Sequence, residues 1–159
     1  MATTIEYAYS PDLSVDELYP IYVEAIQDLS LYKDKPGSEQ DIKNNILAFL
    51  PQTTSTERAL FVAKVDDEIV GFIIGLVSPN ILNHSIKTAS ELFLWVRKEN
   101  RNSRIAVRLV KAFEQWASWA GCHSTSLSFY RHKDELDLDK LYTKLGYRSV
   151  ETTYIKELE

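Results

Sequence analysis

From Asn102 to Ala120 the chain carries apolar residues at Ile105, Leu109, Phe113, Trp116 and Ala120, in steps of four, four, three and four. That spacing brings all five side chains onto one stripe of an α-helix, and the stripe must be laid against an apolar surface. Gly121 follows, and glycine suits the left-handed position that closes a helix. Directly upstream, Thr88 to Val96 reads as a strand, with Leu92, Leu94 and Val96 on one face and Glu91, Phe93 and Trp95 on the other. A strand feeding a long amphipathic helix commits the chain to an α/β architecture in which helices cover a sheet.

The other elements fit that frame. Ala59 to Val65 and Glu68 to Val77 are rich in Val, Ile and Phe and are separated by Asp66-Asp67, a hairpin signal. Thr3 to Tyr9 is a plausible first strand. Ser14 and Glu17 form a capping box before a helix that carries Val15, Leu18, Tyr22, Ala25 and Leu29. Pro36-Gly37 breaks the chain, and Ser38 caps a second helix with Ile42, Ile46 and Phe49, ended by Pro51. Thr125, Leu127 and Phe129 mark a further strand. Asp134 to Leu145 reads as a helix closed by Gly146, and Tyr147 to Leu158 as a final strand. The expected order is β-α-α-β-β-β-α-β-α-β, with residues 1–159 as a single domain.

Composition excludes several classes. With 45% hydrophobic and 26% charged residues, the chain is neither disordered nor a coiled coil. No apolar run approaches the ~18 residues of a membrane span. Met1 to Tyr9 lacks the pattern of a signal peptide, and the single Cys122 fits a reducing cytoplasm. Cys and His show no zinc spacing, so no metal is expected. The net charge of −5 opposes nucleic acid and anionic membrane as partners.

That charge is unevenly placed. Arg97, Lys98, Arg101, Arg104, Arg108 and Lys111 face only Glu99, a local +5 that leaves −10 for the rest of the chain. This basic stretch lies where the strand passes into the long helix. A helix N-terminus presents free N–H groups and the positive end of its dipole, so the expected ligand is a phosphate or pyrophosphate, with Arg101 and Arg104 as supplementary donors. Glycine occurs only 5 times, and none lies between Lys98 and Leu109.

The run Val96-Arg97-Lys98-Glu99-Asn100-Arg101-Asn102-Ser103-Arg104-Ile105-Ala106-Val107-Arg108-Leu109 resembles the V-x-P-x-x-R-G-x-G-x-G/A-x-x-L pattern of the GNAT family of N-acetyltransferases. Arg101, Ala106 and Leu109 match, whereas Lys98 and Arg104 stand where the pattern has proline and glycine. Leu141-Tyr142-Thr143-Lys144-Leu145-Gly146-Tyr147 is similar to the family's L-Y-x-K-L-G-F/Y, and Val65 to Phe72 to its D-G-x-x-V-G-F hairpin. The Arg101–Arg104 loop and the ending with Glu151, Tyr154, Lys156 and Leu158 look like phage-encoded members. The resemblance implies an α/β fold with a mixed, mostly antiparallel sheet of about six to seven strands and about four helices. It implies acetyl-CoA as cosubstrate. Backbone amides of Arg101, Asn102, Ser103, Arg104, Ile105 and Ala106 would hold its pyrophosphate, and the strand edge at Leu94, Trp95 and Val96 its pantetheine arm. Arg104, having a Cβ, would need a helical φ. Homodimers are common in such folds.

For acetyl transfer, an amine of pKa ~10.4 is neutral only about 0.04% of the time at pH 7, so a base helps. The resemblance points to Glu91 as base and Tyr142 as acid, a phenol being a credible donor to a departing thiolate. Beside Phe93 and Trp95, Glu91 is expected to have a raised pKa. The acidic remainder of the chain favours a cationic amine acceptor. The plainer alternatives are a core tyrosine, an ion-paired strand glutamate, and tryptophans (Trp95, Trp116, Trp119) that only pack. A second functional reading is a catalytically degenerate module that binds CoA or a host protein without turnover, motivated by the departures at Lys98 and Arg104.

Overall fold

Asp66 and Asp67 hold φ values of +50° and +67°. Two consecutive left-handed residues give the turn whose twist matches that of two antiparallel strands. Strands β2 (Arg58–Val65) and β3 (Glu68–Pro79) accordingly pair from Arg58↔Leu76 to Val65↔Glu68. The structure is a computed structural model that describes residues 2–7, 13–28, 34–35, 37–50, 55–101, 104–129 and 138–158. They fall into two compact units, Met1–Ser128 and Phe129–Glu159.

In the first unit, β1 (Thr3–Tyr7) pairs antiparallel with β2, and β4 (Lys87–Val96) antiparallel with β3. The short β5 (Ser124–Ser126) pairs parallel with β4. The five strands lie in sequence order in one mixed sheet. Six to seven strands were expected, and the difference lies partly in residues 147–158, which are neither strand nor helix. Val150, Tyr154, Ile155 and Leu158 there are exposed. A strand is held by ladder bonds and a buried face, and this segment has no ladder among the described residues.

Helices α1 (Val15–Asp28) and α2 (Glu39–Phe49) begin with reciprocal caps. Ser14 N–H donates to Glu17 at 2.8 Å, and Glu17 N–H returns to the Ser14 hydroxyl at 3.2 Å. Ser38 and Asp41 repeat the exchange at 3.1 Å each way. Leu18, Ile21, Ala25, Ile42 and Ile46 bury the helices against Leu60, Val62, Phe72, Ile74 and Trp95 on one sheet face. Helix α3 (Ile105–Trp119) packs against the sheet through Leu109, Phe113 and Trp116. Phe113 sits so close to Gly75 that a Cβ there would lie 2.5 Å from its ring. Gly121 closes α3 at φ +81°, and Cys122 N–H reaches back to the Ala117 carbonyl at 2.9 Å. Trp95 and Trp116 are core residues, but Trp119 is 58% exposed, against the packing role read from sequence.

In the second unit, α4 spans Leu138–Lys144. Residues 134–137 of the expected helix lie outside the described residues. Gly146, at φ +93°, closes it, and Tyr147 N–H bonds the Tyr142 carbonyl at 3.0 Å.

Candidate functional site

The ladder between β4 and β5 holds three pairs, Thr88↔Ser124, Ala89↔Thr125 and Ser90↔Ser126, and then stops. Beyond Ser90, no strand among the described residues pairs with this edge of β4. At the same point β4 bulges: Ile74 pairs with Phe93 but Gly75 with Glu91, leaving Leu92 as an extra residue. The extra residue reverses the side-chain alternation. Phe93 and Trp95 join the α1–α2 core, while Glu91 shares the opposite face with its cross-strand partner Gly75, the face that meets Phe113. Glu91 therefore does not share a face with Phe93 and Trp95, because simple alternation does not count a bulge.

Glu91 is the one buried charged or polar residue of the core, 7% exposed among the described residues. Ser128 donates to it twice, from its N–H at 3.0 Å and its hydroxyl at 3.2 Å. Burial raises its pKa from 4.5 to about 7, against the partial lowering by the Ser128 bonds. The raised pKa anticipated from aromatic neighbours thus arises from desolvation at the mouth of the β4–β5 gap. A carboxyl that titrates near neutrality beside an open strand edge can take up and release protons there.

Past Val96 the chain makes a 3-10 turn (Lys98–Asn100) and enters α3. Arg104 caps α3 from φ −80°, the helical value required of a residue with a Cβ, and makes no side-chain cap bond. The N–H groups of Ile105 and Ala106 in the first turn have no intrahelical acceptor, and that turn carries no acidic residue to oppose an anion. Asn102 and Ser103 lie outside the described residues.

The cations of this segment are largely engaged within the protein. Arg97 binds Glu24 through Nε and a second nitrogen at 3.0 and 2.9 Å, and Glu68 at 2.7 Å. Its pKa is raised, chiefly by the Glu24 bonds. Arg101 donates Nε to the Val96 carbonyl at 2.7 Å, binds Asp28 through its terminal nitrogen, and lies over the Trp95 ring at 5.8 Å. Lys98 reaches Asp28 at 3.1 Å, and Trp95 Nε1 reaches it at 2.9 Å. Arg108 donates to the Thr3 carbonyl. Arg104 and Lys111 have no ion-pair partner among the described residues. Glu24, Asp28 and Glu68 were missed from sequence. The available signal was Glu24 and Asp28 one turn apart at the C-terminal end of α1, where the helix dipole disfavours acids. A groove of about 270 Å³ opens here, lined by Gln27, Asp28, Trp95 and Lys98 among others.

In the second unit, Tyr142 is 7% exposed. Phe129 meets its ring edge-on at 5.8 Å, and Tyr147 lies 6.1 Å away. Elsewhere, His123 accepts the Lys87 N–H at Nδ1, and burial raises the Cys122 thiol's pKa. His84 is exposed, while His132 and Tyr130 lie outside the described residues.

Residues 17–147 match the sequence profile of the acetyltransferase (GNAT) family. The chain belongs to the GNAT acetyltransferases. No curated protein matches its sequence. Solved structures share its fold. The ribosomal-protein-alanine N-acetyltransferase of Brucella melitensis biovar Abortus 2308 aligns at TM-score 0.74 and 18% identity, over 99% of this chain and 100% of that one. The glucosamine-6-phosphate N-acetyltransferase of Arabidopsis thaliana aligns at 0.75 and 11%, over 100% of both. AAC(6')-Iy, in complex with the bisubstrate analogue CoA-S-monomethyl-acetylneamine, aligns at 0.68 and 14%, over 100% of this chain and 99% of that one.

GNAT enzymes use acetyl-CoA as cosubstrate, and two features here fit that molecule. Among the described residues the β4 edge along Leu94 and Trp95 is open and can bond the amides of a pantetheine arm, while the Val96 carbonyl already accepts from Arg101 Nε; the first-turn amides of α3 can bond a diphosphate. The glycines absent from the loop do not spoil this fit, because the bonding groups are backbone N–H and Arg104 adopts a helical φ.

Proposed function

We propose that the protein is an acetyl-CoA-dependent N-acetyltransferase that moves an acetyl group directly to a primary amine of a small molecule or protein. The observation that carries this reading is Glu91, a buried carboxyl with a pKa of about 7 where β4 and β5 part. The donor supplies the acetyl group as a thioester. The residues of the chain do the rest. The first-turn amides of α3 at Ile105 and Ala106, with the Arg104 side chain, neutralise the diphosphate. The edge at Leu94 and Trp95 aligns the donor arm. Glu91 accepts the proton of the incoming ammonium, directly or through water. The Tyr142 hydroxyl donates a proton to the departing sulfur.

The acceptor is a cationic amine on this reading, since the chain carries a net charge of −5. The related structures act on, or are complexed with analogues of, chemically different acceptors, so the shared fold does not choose among them. Calorimetry with acetyl-CoA, followed by mass spectrometry of products from a mixed amine panel, tests the proposal. Binding followed by an acetylated cationic amine is expected; preference for anionic acceptors would refute the charge argument. The pairing of Arg97, Lys98 and Arg101 with acids favours one second reading, a CoA- or host-protein-binding module without turnover. Binding without product from any amine would select it.

A further inference from the structure

The carboxylate of Asp28 is the meeting point of three donors from three places. Trp95 Nε1 comes from β4, Lys98 from the 3-10 turn, and Arg101 from the residue after it. Its side chain is 13% exposed. Burial alone would raise its pKa, but the bonds from Arg101, Trp95 and Lys98 outweigh burial and hold it at about 2. The position is unfavourable in itself, an acid at the C-terminal end of α1.

Charge around it is unevenly shared. Arg97 has two acids, Glu24 and Glu68, on one guanidinium, with Glu99 at 3.8 Å. Asp28 has two cations on one carboxylate, while the cluster as a whole, Arg97, Lys98 and Arg101 against Glu24, Asp28, Glu68 and Glu99, holds no excess of positive charge. The two cations also differ. Arg101 is fastened a second time to the Val96 carbonyl and lies over Trp95, with its side chain 22% exposed. Lys98 is 71% exposed and has only Asp28 as ion-pair partner among the described residues. An ammonium on a long, solvated stem can change partner at small cost.

We propose that Asp28 is the resident counter-ion of the loop between β4 and α3, holding Lys98 and Arg101 in the free protein and releasing Lys98 to the diphosphate of the donor. Arg101 stays with Asp28 and the Val96 carbonyl and keeps the shape of the turn. Asp28 therefore lowers donor affinity while fixing the loop, and it is a positioning residue that touches no reacting atom. The inference rests on the donor-site reading above.

The test is calorimetry with CoA at several NaCl concentrations on the wild-type chain, Asp28→Asn, Lys98→Gln and the double variant. Asn preserves an acceptor for Trp95 Nε1 and removes the charge. Asp28→Asn is expected to bind CoA roughly two- to fivefold tighter at low salt, the scale of one part-exposed ion pair. Its affinity should also fall more steeply with salt, because the freed ammonium adds a screened attraction. Lys98→Gln should weaken binding and flatten the salt dependence, and in that background Asp28→Asn should give no gain. A residue that merely braces the fold would move neither the salt slope nor the coupling. Weaker or unchanged binding in Asp28→Asn, or a gain that survives Lys98→Gln, overturns the proposal. If Asp28→Asn does not fold, the exposed Lys98→Gln decides alone: unchanged affinity and salt slope overturn it. Wild-type chain that does not bind CoA at all instead overturns the donor-site reading beneath it.

Discussion

Replacing Glu91 by Gln removes a titration and keeps the size of the side chain. Burial raises the pKa of this carboxyl from 4.5 to about 7, so the native state holds the proton more tightly than the unfolded chain does. The associated stability is fully present below pH 4.5 and is lost as pH rises through 7. The rise from 4.5 to about 7 amounts to ~3 kcal/mol, of which about 2–3 kcal/mol falls between pH 5 and pH 8. The Gln oxygen can still accept the two Ser128 bonds, and the cost of its added donors does not vary with pH. Urea unfolding of both proteins at pH 5, 6, 7 and 8 isolates the effect, since every other titration cancels in the difference. The variant should gain about 2–3 kcal/mol relative to the parent from pH 5 to pH 8. A difference that stays flat with pH would refute a buried, near-neutral Glu91. Turnover in the variant should lose the ascending limb of its pH profile near 7.

Tyr142→Phe removes the proposed acid and should lower kcat by roughly 10²–10⁴-fold with little change in acetyl-CoA affinity; steady-state kinetics beside calorimetry would show whether kcat is instead untouched. The Tyr22 hydroxyl is buried against Phe72 without a hydrogen-bond partner among the described residues, and burial raises its pKa. Tyr22→Phe should therefore stabilise the fold by roughly 1–3 kcal/mol in urea, and a loss would mean that the hydroxyl is satisfied in solution. Gly75→Ala places a methyl 2.5 Å from the Phe113 ring in a fully buried site, and should cost roughly 1–3 kcal/mol. An unchanged thermal midpoint would show that α3 can yield.

Much of the frame was legible in the sequence because it is written in local chemistry. The Asp66-Asp67 turn, the Ser14 and Ser38 caps, the α3 stripe and the glycines at 121 and 146 each act within a few residues, and each appears where expected. The Arg104 backbone followed from the same kind of reasoning. What failed depends on distant partners. The extra residue at Leu92 is defined by pairing with β3, so the face of Glu91 was misassigned. The strand expected over 147–158 has the right composition but no ladder among the described residues. The acids that pair with Arg97 and Arg101 were not foreseen, because they lie about 70 residues upstream. Charge counted along the chain does not reveal which charges meet in space.

This chain is proposed to move an acetyl group from acetyl-CoA to an amine. That proposal is tested most directly by following free CoA thiol and acetylated amine together after mixing protein, acetyl-CoA and a panel of cationic amines. Thiol and acetylated amine are expected to rise in equal amounts, faster as pH increases through 7. Bound acetyl-CoA with no thiol released, or thiol released with no amine acetylated, would contradict it.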